Sequence, residues 1–139
     1  MKAFRRWIKR VLPVLAIVMI AGLILSRVFS PDPGEIRPET TISYNQAADF
    51  VGSVVEVCGI VAGADFADHI GGQPTFLNFG DVHPNQKFTV VIWGDDRPRW
   101  LQPPEQKYRN AEICVTGRVD MHRNVPQIVV DRPGRIVVR

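Results

Sequence analysis

Two hydrophobic rhythms divide the chain. Residues 11–25, "VLPVLAIVMIAGLIL", are apolar without a break. From residue 54 onward apolar positions return every second residue, beginning with "SVVEVCGIVAG". The first rhythm, extended over residues 7–29, has the roughly 20 residues that cross a bilayer. The second is the period of a strand with one buried face. Val55, Val57, Gly59 and Val61 share one phase, and Ile113, Val115, Gly117 and Val119 of "AEICVTGRVDMH" repeat it. Between these two strands, "PTFLNFG" and "KFTVVIWG" read as a second and a third, joined through "DVHPNQ". Their inward set is Leu77, Phe79, Phe88, Val90 and Ile92. A fifth strand is expected over "VPQIVV" and "RIVVR", interrupted by a turn at residues 132–134. Ser43 and Gln46 have the spacing of a capping box, which predicts a short helix over Tyr44–Phe50 stopped by Gly52. One further helical turn is expected near residues 105–108.

This pattern specifies an all-β domain. Five strands, with glycine inside the first and fourth where the chain must coil sharply, suit a small closed five-stranded Greek-key barrel with a short preceding helix. A two-sheet sandwich would normally need about seven strands. The Pro- and acid-rich stretch "PDPGEIRPETTI", residues 31–42, reads as an extended linker. The expected domains are residues 1–30 (basic tip and anchor), 31–42 (linker) and 43–139 (barrel).

Charge sharpens the reading of the first rhythm. Lys2, Arg5, Arg6, Lys9 and Arg10 precede the apolar run, and acids follow it at Asp32, Glu35 and Glu39. That asymmetry places the N-terminus in the cytoplasm and the domain outside, in a single-pass signal-anchor arrangement at the inner membrane. A cleaved signal peptide is the alternative, although no A-x-A cleavage pattern is present. Of the chain's 17 cations, six lie in residues 1–30, which leaves 11 against all 14 acids, about −3 for the remainder. The overall charge of +3 therefore belongs to the anchor and is not a nucleic-acid footprint. From Arg97 onward nine cations meet four acids, compatible with a basic patch or with scattered surface charge.

Cys58 and Cys114 occupy the phase opposite the Val/Gly core phase. If their strands are antiparallel neighbours, the two side chains meet across the ladder. An even cysteine count in an exported domain favours a disulfide, with two buried free thiols as the alternative.

The order of these segments, above all "PTFLNFGDVHPNQKFTVVIWGDDR" with "VVEVCGIVAG" and "ICVTGRVD", resembles bacterial exported OB-fold domains related to nucleic-acid-binding and tRNA-anticodon-binding modules. The resemblance implies an OB fold and, by association, binding of single-stranded DNA or RNA. Such barrels also bind saccharides, peptides and proteins, so an envelope protein or glycan is the alternative partner. The ligand face of an OB fold lies on its second and third strands, and single strands need aromatic rings and cations there. Phe76, Asn78, Trp93, Arg97, Arg99 and Trp100 are the residues expected to supply them, against the competing reading that the rings pack in the core. Residues 7–29 would meet the lipid bilayer.

No catalysis is expected. Nucleotide-, serine-hydrolase- and zinc-protease-type motifs are missing from the sequence. No cofactor or metal is expected either, since His69, His83 and His122 lack ligand spacing.

Overall fold

The structure is a computed structural model that describes residues 16–21 and 34–139. The expected membrane span therefore lies mostly outside the described residues. Residues 16–21, within it, are helical. No helix among the described residues is long and apolar enough to cross a membrane. Ile36–Arg139 forms one compact unit.

Eight strands build the unit: β1 (Thr41–Ser43), β2 (Val54–Phe66), β3 (Thr75–Phe79), β4 (Phe88–Ile92), β5 (Glu112–Arg118), β6 (Asp120–His122), β7 (Val125–Val129) and β8 (Ile136–Val138). A 3₁₀ helix spans Tyr44–Phe50, and a short α-helix, α1, spans Pro104–Tyr108. Gln46 Oε1 accepts a hydrogen bond from the Ser43 N–H at 3.0 Å, which is the reciprocal half of the expected capping box. The segment closes as 3₁₀ turns where an ordinary helix was expected.

The five-stranded closed barrel is not what forms. The strands make one open sheet in the order β6-β7-β4-β3-β2-β5-β8, with β1 paired in parallel to β2. Two expected strands are each divided. The fourth breaks at Val119 into β5 and β6. The fifth separates at Arg132 to Arg135, so that β7 runs parallel to β4 while β8 runs antiparallel to β5. A chain turned aside by a proline-containing 3₁₀ turn, Pro133–Arg135, cannot continue the same ladder, and its two halves pair with different neighbours.

The core follows the phase read from the sequence. Leu77, Phe79, Phe88, Val90 and Ile92 are fully buried, as are Val55, Val57, Val61, Ile113 and Val115. Phe79 and Phe88 face each other across the β3/β4 ladder, edge to face with ring centres 5.3 Å apart. The two strand glycines mark close approaches. A Cβ on Gly59 would lie 2.6 Å from the Tyr44 ring, and one on Gly117 would lie 2.5 Å from Ile128 Cγ2. At Gly117 the far strands β5 and β7 meet without sharing a ladder. Gly117→Ala should destabilise the domain by about 1–2 kcal/mol by overpacking this seam. A urea titration in which the variant matches the parent chain would show that the seam has slack.

Cys58 and Cys114 are directly opposed in the β2/β5 register and are joined as a disulfide, with their Cα atoms 4.1 Å apart.

Candidate functional site

The six residues expected on the ligand face separate into two groups. Phe76 and Asn78 sit on β3 and line a groove of about 610 Å³. Trp100 points the other way. It is 6% exposed, belongs to the hydrophobic core, and donates its Nε1–H to the Tyr108 hydroxyl at 3.0 Å. A ring held in that way presents no face to a ligand. Arg97 is likewise engaged. Its Nη1 and Nη2 make a two-pronged bond to the Glu105 carboxylate at 2.6 and 2.7 Å, and Nη1 also donates to Thr75 Oγ1 at 2.7 Å. Its guanidinium lies 3.8 Å from the centre of the Phe66 ring. Arg99 bonds the Asp131 carbonyl at 2.8 Å and pairs with Asp96 at 3.4 Å. Trp93 is 43% exposed, and a Cβ on Gly72 would touch its ring at 3.0 Å.

The charge asymmetry along the chain is not one patch in space. Besides Arg97 and Arg99, Arg109 donates to the Ala64 carbonyl, Arg118 to the Gly52 carbonyl, and Arg139 reaches Glu56 at 3.6 Å. Most of the C-terminal cations tie elements together. Arg123 is different and lines the groove.

The groove runs over the outward phase of the β3/β4 hairpin. Asn78 and Thr89 are paired across that ladder and form its polar floor, with Thr89 Oγ1 donating to Asn78 Oδ1 at 3.1 Å. Asn78 is only 2% exposed. With its oxygen satisfied by Thr89, its amide N–H₂ is the group left to donate to a ligand. Phe76 supplies a half-buried ring beside it. Gln127 of β7 and Val125 extend the wall. The loop between β2 and β3 contributes His69 and Ile70, and the β3–β4 turn contributes His83, Pro84 and Gln86. The β6–β7 hairpin contributes His122 and Arg123, the latter held at φ 48° beside Asn124 at φ 64°. Two consecutive left-handed residues make the tight hairpin turn that matches strand twist. That turn carries Arg123 at the rim.

Among the described residues, Gln86 Oε1 is the one buried side-chain oxygen or nitrogen without a hydrogen-bond partner. A buried acceptor left unpaired costs about 1–3 kcal/mol.

Sequence reasoning missed the histidines here. All three in the chain, His69, His83 and His122, line this one groove. They come from two loops and the end of β6, and no local spacing could have linked them. They do not form a metal site as placed. The one group of His, Cys, Asp or Glu whose ligand atoms lie within 4.8 Å of one another, among the described residues, is Glu56 with the two bonded cysteines.

No family model matches the chain. A curated relative is the DNA-directed RNA polymerase subunit beta' of Bacteroides thetaiotaomicron, 30% identical over 95 residues that cover 62% of this chain. The match spans 6% of that subunit. Among solved structures, an OBody (AM1L10) bound to hen egg-white lysozyme aligns with a TM-score of 0.47 and 16% identity, covering 76% of this chain and 98% of its own. A putative aspartyl-tRNA synthetase from Leishmania major Friedlin aligns with a TM-score of 0.46 and 11% identity, covering 85% of this chain and 25% of its own.

Proposed function

We propose that this chain is a non-catalytic module that binds single-stranded DNA or RNA in the groove over β3 and β4, on an open variant of the OB Greek key. The observation that carries the reading is the combination of a ring, Phe76, with an unpartnered buried acceptor, Gln86 Oε1, and a buried amide, Asn78, in one groove. A nucleobase needs a flat apolar partner for its face and amide-like partners for its edge. The strand path supports the fold assignment: β2, β3 and β4 form a meander, β7 returns parallel to β4, and β5 flanks β2 on the other side. The 95-residue likeness to a subunit of a DNA-directed RNA polymerase is in keeping with a nucleic-acid ligand.

The groove holds about 610 Å³, and Arg123 is its single arginine. This suits a few nucleotides of single strand rather than a duplex, whose bases are stacked out of reach.

The basic tip and the apolar residues 7–29 support an anchor that holds the domain on the outer side of the inner membrane. Recovery of the full chain in a soluble fraction would remove the anchor from this proposal while leaving the groove untouched.

The test is titration of the full chain with labelled single-stranded DNA and RNA. Phe76→Ala should weaken binding by about 1–3 kcal/mol, roughly 5- to 150-fold in Kd, the worth of one stacked base. Gln86→Leu should weaken it while leaving the fold intact. Unaltered affinity in both variants would remove the groove from the interface.

A further inference from the structure

The groove is ringed by every histidine in the chain, and this has a consequence for charge. Its lining holds one acid, Asp65 on β2, and one base, Arg123 on the β6–β7 hairpin. With neutral imidazoles these two cancel. With three imidazolium ions the lining carries about +3 in a domain whose net charge is otherwise acidic. Imidazole is the side chain whose ordinary titration falls between pH 5 and 8.

We propose that binding of the phosphodiester backbone in this groove is acid-gated, tightening as His69, His83 and His122 take up protons. The inference rests on the nucleic-acid reading above and adds its regulation. The histidines are placed for it. His69, His83 and His122 are all exposed at the rim, with the aromatic and amide floor between them. Phosphates of a strand whose base lies on Phe76 would run along that rim. The charged groups of the groove lining besides the histidines are Asp65 and Arg123, Asp68 Oδ1 is 3.5 Å from His69 Nδ1, and Asp81 and Asp120 lie two residues from His83 and His122 in the chain. Asp68 offsets part of the charge gained at His69. His83 and His122 therefore carry most of the change.

Counterion release gives the size of the effect. Each phosphate neutralised on a single strand adds about 0.7 to the slope of log K against log salt. Two to three new cations should steepen that slope by roughly 1.5–2, and at about 0.1 M salt should tighten binding roughly ten- to a hundred-fold.

The experiment measures Kd of the full chain for a short oligo-dT over a range of salt at pH 8 and pH 5.5, with circular dichroism confirming the fold at both. The expected result is tighter binding and a steeper salt slope at pH 5.5. In His83→Gln/His122→Gln the ratio of the two Kd values should fall below about threefold, whatever the absolute affinity at pH 8. Equal Kd and equal slope at both pH values in the unmodified chain would overturn acid gating while leaving the nucleic-acid reading standing. A double variant that keeps the full ratio would overturn it as well, by placing the titrating groups elsewhere. Absence of binding at either pH would overturn the nucleic-acid reading and this proposal together.

Discussion

Replacing Cys58 and Cys114 together by serine should lower the stability of the domain by about 4 kcal/mol, the value for a closed loop of 56 residues in the chain-entropy account. The loop runs from the middle of β2 through β3, β4 and α1 to the middle of β5, so opening it frees most of the sheet in the unfolded chain. The β2/β5 ladder around the pair, from Val54↔Arg118 to Ile60↔Glu112, remains available to the variant. The native state should therefore lose little geometry, and the effect should arise in the unfolded ensemble. For a domain of this size such a loss lowers Tm by roughly 15–30 °C. Thermal melts of the double variant, and of the unmodified chain under thiol reductant, should agree. A drop of less than about 1 kcal/mol in both would mean that the reduced chain stays compact when unfolded and that the bond constrains little.

The shared phase of these cysteines was legible from alternation, and the β2/β5 register supplies the rest of the pairing. Two residues in the same phase of two like strands face one another if the strands are neighbours. The buried set Leu77, Phe79, Phe88, Val90 and Ile92 was legible for the same reason. Strand number was not. β1, β6 and β8 have three residues each, too few to show any period, and their existence depends on which longer strand lies beside them. That Phe76 and Asn78 share one face was legible because β3 is a regular strand whose phase is fixed by its core neighbours, and the structure brings both into one groove. Arg97 and Trp100 turn instead toward Glu105 and Tyr108, because they follow β4 in an irregular segment where side-chain direction is set by 3₁₀ turns and by α1 and not by period. The grouping of the histidines was invisible because two loops and the end of β6 converge only once the sheet has formed. A segment's periodicity reports which face is buried, and it says nothing of which distant loop will stand over the other face.

Arg97→Ala should cost about 2–3 kcal/mol, and the size of that cost should depend on pH. Its side chain and that of Glu105 are only 20% and 15% exposed, and the guanidinium joins Phe66 of β2, Thr75 of β3 and Glu105 of α1 at a single point. Removing one partner of such a pair leaves a largely buried carboxylate and the Thr75 hydroxyl without their donor. Hydrogen bonds from Arg97 hold the Glu105 carboxyl below its usual range against the opposing effect of burial. A group with a lowered folded value contributes stability above its unfolded value and loses it as the pH falls through the folded one. The unmodified chain should therefore give up this contribution on acidification toward pH 3. In Arg97→Ala the burial remains while the hydrogen bonds are gone, so the carboxyl is pushed upward, is penalised at neutral pH, and is relieved by protonation. The stability gap between the two chains should narrow from pH 7 to pH 3, as read from urea midpoints at each pH. Arg97→Lys should recover only part of the loss, because an ammonium cannot reproduce the two-pronged geometry or stack on Phe66. A gap that stays constant with pH would show that Glu105 is not the group Arg97 holds, and would reopen Arg97 as a residue available to a phosphate.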